Sequence, residues 1–107
     1  MHRTIYNVAL ENRFSYDSIK DIMKLLRGLS ALYLLALKGD TVAAGIYIDL
    51  KDALLTEGVL SVKQKRYITL YMDGYNQDEI GAMCKRGKST VNESLWLGVR
   101  NIQEYLG

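Results

Sequence analysis

Four polar residues near position 90 have the spacing and the chemistry to hydrogen-bond the edges of DNA bases. In a helix they share one face, because residues three or four positions apart are neighbours there. They are Lys88, Ser89, Asn92 and Glu93. In a major groove a lysine can reach guanine, an asparagine can bond adenine through two atoms, and a glutamate can accept from cytosine N4, each good pair discriminating by about 1–3 kcal/mol. We therefore predict that this face reads bases of double-stranded DNA.

Residues that would support catalysis or metal binding are scarce and poorly spaced. His2 is the single histidine and has no Cys or His partner at ligand spacing, so we expect no metal site and no cofactor. Asp49 and Asp52 have Lys51 between them on a predicted helix, which is typical of a solvated surface. The chain has no glycine-rich phosphate loop and no nucleophile elbow. We do not expect an enzyme.

The residues around the polar face have the pattern of a helix-turn-helix. A short helix should start at Asn76 or Gln77, with an Asx N-cap, acidic residues in its first turn, and Ile80 and Met83 facing inward. A three-residue turn follows, and the second helix should begin near Lys88. The pattern places the base-reading residues at the start of that second helix.

Small and branched residues would hold the two helices at a steep crossing. Gly81 supplies the small residue that a close helix crossing needs, and Val91 is the β-branched residue of the second helix that packs against it. Leu95 continues an apolar line along that helix, which we expect to face the core. The rest of the line is Gly98, Val99, Ile102 and Leu106.

Sixteen residues between positions 60 and 106 carry a resemblance to a known family. They are Leu60, Ser61, Gln64, Arg66, Leu70, Tyr71, Gly74, Tyr75, Gln77, Glu79, Ile80, Ser89, Thr90, Val91, Leu95 and Ile102. This run resembles region 4 of the sigma-70 family, the domain that reads the −35 element of promoters. The layout is most similar to small phage and prophage transcriptional regulators of the ArpU/RinA kind. The resemblance covers 47 of 107 residues and implies a sequence-specific regulator of phage or mobile-element genes.

The turn departs from the pattern of that family. Where the family has Leu-Gly-Val-Ser, this chain has Cys84, Lys85, Arg86 and Gly87. Either Lys85 takes the left-handed conformation, at a strain on the order of 1 kcal/mol, or Gly87 takes it instead. Arg86 replaces an aliphatic residue, so either its stem packs and its charged head reaches solvent, or the turn is shifted by one residue. We expect Cys84 to be a small core residue.

Basic and amide groups around the motif are candidate phosphate contacts. The net charge of +2 comes entirely from residues 59–107, which hold seven basic and five acidic groups. Positive groups near the motif would position it on the DNA backbone. The candidates are Lys63, Lys65, Arg66, Gln77, Lys85, Arg86 and Thr90. For Lys63 and Arg66 a solvated charged surface is an equal alternative.

The rest of the chain predicts an all-α protein of about five helices. With 107 residues, 49% of them apolar, and no proline, it can form one small domain with a core. One helix should run from Ser15 or Asp17 to Gly39, and the next from Thr41 to about Glu57, as an antiparallel hairpin. We predict that residues 1–58 support the rest of the chain and that residues 1–14 among them form an irregular arm. Residues 59–107 are the predicted DNA-binding domain, whose first helix should begin with a capping box of Ser61 and Gln64.

The first predicted helix is apolar nearly all round, so one neighbour cannot cover it. Burial in the core is one explanation, and homodimerisation through the N-terminal helices is the other. Trp96 would be a natural packing partner, with a structural role in either case. We expect no membrane association, because the longest uncharged run has ten residues, about half of a membrane span. The single Cys84 and the apparent lack of a signal peptide favour a reducing cytoplasm. The family resemblance implies a bacterial cell and association with the nucleoid.

Two further functions fit the same residues. Region 4 of sigma factors also docks on RNA polymerase, so a weakly basic single copy with an altered turn could bind polymerase or compete with a sigma factor. Small helix-turn-helix domains also occur as DNA-recognition subunits of phage packaging machines. Copurification with polymerase in the absence of DNA would indicate the first, and large ring-like oligomers the second.

Overall fold

The computed structural model describes residues 15–107, which form six α-helices joined by short connections and contain no β-strand. The helices are α1 (Ile19–Arg27), α2 (Leu29–Leu37), α3 (Thr41–Leu55), α4 (Val62–Met72), α5 (Gln77–Cys84) and α6 (Lys88–Leu106). The prediction of an all-α chain is confirmed, with one helix more than the expected five. The arm predicted over 1–14, and His2 within it, lie outside the described residues.

The additional helix arises because the first predicted helix is divided at Gly28. Helix α1 begins later than expected, after Ser18, whose hydroxyl accepts from the backbone N–H of Asp21 at 3.1 Å. Gly28 has φ −90° and ψ 13°, outside helical geometry, and α2 starts immediately after it. Apart from proline, glycine has the lowest helix propensity. The division allows α1 to pack on α6 while α2 packs on α3, which explains part of the wide apolar surface of this segment. Tyr33, Leu34 and Leu37 of α2 remain 45–66% exposed.

Helices α2 and α3 pack together across a three-residue connection, as expected for an antiparallel hairpin. Gly39 provides the positive φ, 98°, that this connection needs. Asp40 caps α3 by accepting from the backbone N–H of Ala43 at 3.0 Å. The rings of Tyr33 and Tyr47 meet between the two helices with their centroids 5.1 Å apart.

A single apolar core joins these helices to α4, α5 and α6. Helix α6 contacts α1, α3, α4 and α5, and its predicted apolar line is entirely buried. The largest fully buried side chains of the core are Ile22, Leu26, Ile46, Leu50, Ile68, Ile80, Val91, Leu95, Val99, Ile102 and Leu106. Both parts of the chain, residues 1–58 and 59–107, contribute side chains to this one core. The assignment of support to the first part and DNA binding to the second therefore stays a prediction.

The expectation that Asp49 and Asp52 form a solvated surface is wrong for Asp49. This residue is only 4% exposed, and it accepts from the hydroxyl of Tyr16 at 3.3 Å. Asp52 is exposed and accepts from the hydroxyl of Tyr105. Both carboxylates therefore bond to tyrosines, through which α3 is tied to the segment before α1 and to the end of α6.

Arg27 connects α1 to the end of α4. Its Nε donates to the carbonyl oxygen of Tyr71 at 3.1 Å, and its Nη2 donates to that of Tyr75 at 2.8 Å. The guanidinium also lies 4.0 Å from the centroid of the Tyr71 ring, close enough for a cation–π interaction. The Tyr71 carbonyl oxygen also accepts from the backbone N–H of Gly74 at 3.0 Å, so Arg27 adds a second donor there and holds α1 against the turn that follows α4.

Replacing Arg27 by alanine should lower the free energy of unfolding by about 1 kcal/mol, because two charged hydrogen bonds and a ring contact are lost at a solvent-accessible position. Lys24→Ala removes an exposed basic residue from the same helix and serves as the matched control. Urea denaturation followed by circular dichroism measures both. Equal midpoints for the two variants would show that Arg27 does not connect the helices.

Candidate nucleic-acid interface

Helix α4 starts with the capping box that the sequence predicts. The backbone N–H of Gln64 donates to the hydroxyl of Ser61 at 3.1 Å, and the Gln64 side-chain oxygen accepts from the backbone N–H of Ser61 at 3.0 Å. Gly74, with φ 103°, follows the end of the helix. Because both ends of α4 are fixed, the chain enters α5 in a defined direction.

Helix α5 starts with a second capping box, built by Asn76 and Glu79. The backbone N–H of Glu79 donates to the Asn76 side chain, and the Glu79 carboxylate accepts from the backbone N–H of Asn76, both at 2.9 Å. The Asn76 cap was predicted, but the reciprocal bond was not, although Asn-x-x-Glu spacing is its usual signature. The acidic Asp78 and Glu79 already complement the positive end of this helix, which leaves less attraction there for a phosphate.

The crossing of α5 and α6 depends on Gly81, as the sequence predicts. A β-carbon at this residue would lie 2.6 Å from the carbonyl oxygen of Arg86. The backbone N–H of Arg86 also donates to the Gly81 carbonyl oxygen at 2.8 Å, the 6→1 bond of a Schellman turn. The inward position expected for Met83 is wrong, because Met83 is 45% exposed. Cys84, one full turn after the buried Ile80, packs on the core instead.

Lys85 takes the left-handed conformation in the turn, with φ 56° and ψ 48°. Gly87, the alternative, has φ −69° and ψ 155° and serves as the N-cap of α6. Of the two candidates, Lys85 is therefore the left-handed residue of the turn. Arg86 is exposed, and its guanidinium donates back to the Lys85 carbonyl oxygen at 3.1 Å, so its charged head reaches solvent.

The polar face at the start of α6 is largely open to solvent. Lys88, Ser89, Thr90 and Glu93 are exposed, while Asn92 is half-buried. The Nζ of Lys88 lies 3.7 Å from the carboxylate of Asp78, and both side chains are more than 60% exposed. An ion pair in that setting contributes little, so it would not keep Lys88 from another partner. Beneath this face Val91 and Leu95 are fully buried, as predicted for the structural residues of the motif.

Asn92 bonds to two neighbours within the protein. Its Oδ1 accepts from Nε2 of Gln77 at 2.8 Å and from Nε1 of Trp96 at 3.0 Å. Gln77 is the first residue of α5, so this network ties the start of one helix to the second turn of the other. This network was not predicted from the sequence. The four-residue interval between Asn92 and Trp96 does indicate a hydrogen bond between their side chains, because residues at this spacing are neighbours on a helix and a half-buried indole N–H needs an acceptor.

The basic residues of α4 lie away from the polar face of α6. Gly98 of α6 packs against Gln64, and the Nδ2 of Asn101 donates to the Gln64 side chain at 3.4 Å. Asn101 is nine residues after Asn92 in α6, which corresponds to about 14 Å along the helix axis. Lys63, Lys65 and Arg66 flank it and are exposed. Lys85, Arg86 and Thr90 therefore lie at the same end of α6 as the polar face. The basic residues of α4 lie beside the C-terminal half of α6.

Within residues 15–107 no group of three or more His, Cys, Asp or Glu side chains is arranged to hold a metal ion. None of the described helices has the length and apolar character needed to cross a lipid bilayer. No protein-family model, no curated protein and no solved structure matches the chain. The resemblance to sigma-70 region 4 therefore stays a prediction from the sequence pattern.

Gly81→Ala should lower the free energy of unfolding by about 1–3 kcal/mol, because the added methyl group meets a backbone carbonyl that has to move. Gly87→Ser is the matched control in the same turn. No heavy atom lies within 4 Å of a β-carbon at Gly87, and serine is a better N-cap, so this variant should be neutral or slightly stabilised. Thermal denaturation compares them, and an unchanged melting temperature for Gly81→Ala would contradict the close crossing.

Lys85→Gly should raise the free energy of unfolding by up to about 1 kcal/mol, since glycine adopts a positive φ without steric cost. Lys85→Ala removes the same charge but keeps a β-carbon, so it should give no such gain. The difference between the two variants in urea denaturation isolates the backbone effect. If both gain equally, charge rather than backbone strain sets the stability at this position.

Proposed function

We propose that the protein is a sequence-specific DNA-binding transcriptional regulator. Helices α5 and α6 act as a helix-turn-helix of the sigma-70 region 4 kind, and the first two turns of α6 enter the major groove of double-stranded DNA. Its targets are genes of a phage or another mobile element, and it acts in the bacterial cytoplasm on the nucleoid. The family part of this proposal rests on the sequence resemblance alone.

The observation that carries the proposal is the exposed polar start of α6 on a rigid support. Lys88, Ser89 and Glu93 project from a helix whose opposite face is fully buried. The Gly81 crossing fixes the angle of this helix to α5. Base readout needs side chains held in register with the groove, and an exposed face on a buried helix provides that register.

Charge supports a DNA partner at the same end of the molecule. Lys85 and Arg86 lie exposed in the turn that leads into this face. Neither forms an ion pair with a carboxylate of the described residues, so both are available to phosphates. The side chain of Gln77 is engaged by Asn92, which makes the turn the better supported phosphate anchor.

The N-terminal helices support a homodimer as part of the proposal. Tyr33, Leu34 and Leu37 of α2 and Ile48 of α3 are 45–66% exposed, although they belong to the most apolar part of the chain. A dimer with twofold symmetry would bind an inverted repeat, with half-sites about one helical turn apart. A single asymmetric site would instead indicate a monomer that acts together with RNA polymerase.

Lys85→Ala should weaken binding to duplexes of any sequence alike and lower the slope of log affinity against log salt by about one, since each phosphate contact releases about one counterion. Lys24→Ala removes an equal charge from α1, which is outside the proposed helix-turn-helix, and should leave the slope unchanged. Fluorescence anisotropy on a random-sequence duplex across a salt series gives both slopes. Equal slopes for the wild type and both variants would contradict a phosphate contact at Lys85.

A further inference from the structure

The orientation of the Asn92 side-chain amide is fixed by chemistry. The indole Nε1 of Trp96 can only donate, so the Asn92 atom 3.0 Å away from it is the acceptor Oδ1. The side chain of Gln77 then has to present its nitrogen to the same oxygen, at 2.8 Å, because two carbonyl oxygens would repel. The usual ambiguity between O and N of an amide does not arise here.

These two bonds use both acceptor positions of Oδ1, since a carbonyl oxygen carries two lone pairs. The two N–H groups of Nδ2 remain. No acceptor among residues 15–107 takes them. They belong to a half-buried side chain one turn after Lys88 and beside the exposed Glu93. For any further partner, therefore, the Asn92 side chain can donate hydrogen bonds but cannot accept them.

An asparagine restricted in this way recognises a different base from a free one. The adenine edge in the major groove presents the acceptor N7 and the N6 amino donor, and two-point readout needs both a donor and an acceptor on the amide. The guanine edge presents two acceptors, N7 and O6. A pure donor meets both guanine atoms favourably, whereas adenine would leave its amino group without a partner, which is costly in a desolvated interface.

We propose that Gln77 and Trp96 set the base preference of Asn92, so that this residue selects guanine instead of the adenine that its residue type alone suggests. The inference rests on the proposed DNA-binding function. Gln77 and Trp96 are then positioning residues that act through Asn92 without touching a base. Their effect is a change in the identity of the preferred base, which a purely structural role would not produce.

The network can be tested in the free protein, without DNA. Trp96 is the only tryptophan, so its indole N–H gives a single assignable resonance in a ¹H–¹⁵N NMR spectrum. Asn92→Ala should move this resonance upfield and speed its exchange with solvent, while Glu93→Ala on the adjacent exposed position should not move it. An indole resonance unchanged in Asn92→Ala would overturn the inference.

The base preference is tested with DNA that the wild type selects from a random pool. The position at which Asn92→Ala loses discrimination should be a guanine, bound about tenfold more tightly than adenine there. 7-Deazaguanine, which lacks the N7 acceptor, should weaken binding at that position. The double variant Gln77→Met/Trp96→Phe frees Oδ1 and keeps the side-chain bulk, so its preference should shift from guanine to adenine.

Several results would contradict the inference. An adenine at the Asn92-dependent position in the wild type, or an Asn92→Ala loss that is equal on all sequences, would overturn it. So would a double variant that still folds, judged by circular dichroism, and keeps the guanine preference. If no variant enriches any sequence while the indole resonance still responds to Asn92→Ala, the network stands, and the DNA-binding proposal and the guanine preference fall together.

Discussion

The approach of the Arg86 carbonyl to Gly81 is the constraint on which the arrangement of α5 and α6 depends. A β-carbon at that point would lie 2.6 Å from the oxygen, well inside van der Waals contact. The turn can therefore close in three residues, at the cost of a positive φ at Lys85. A turn this short, closed by the Arg86–Gly81 backbone hydrogen bond, sets the direction of the start of α6 relative to α5. The position of the exposed polar face relative to α5 is set in the same way.

The rest of the molecule supports α6. The helix is buried along its apolar line from Val91 to Leu106, and it receives contacts from four of the other five helices. The division of the first apolar segment at Gly28 lets α1 reach α6 while α2 pairs with α3. Arg27 then ties α1 to the end of α4. Removing one of these elements would expose part of the same core, so the N-terminal helices are needed to hold α6 in place.

Local sequence patterns predicted much of this structure. The capping box at Ser61, the N-cap at Asn76 and the start of α6 at Lys88 each depend on residues within one helical turn, and all three are confirmed. Three of the misses depend on distant parts of the chain. Asp49 is buried because Tyr16, 33 residues away, bonds to it, and the break at Gly28 is decided by what the two flanking helices pack on. The Gln77 bond to Asn92 spans 15 residues, so the state of the Asn92 amide could not be read from helical spacing alone.

The most direct measurement of the central claim is selection of bound duplexes from a random DNA pool at about 0.1 M salt, where phosphate contacts are partly screened. The proposed function predicts an enriched motif several base pairs long, with one position that Glu93→Ala relaxes. The symmetry of that motif would report whether the protein binds as a dimer. A folded, monodisperse protein that enriches no sequence would contradict base reading by α6, and copurification with RNA polymerase without DNA would then identify the same face as a protein-docking surface.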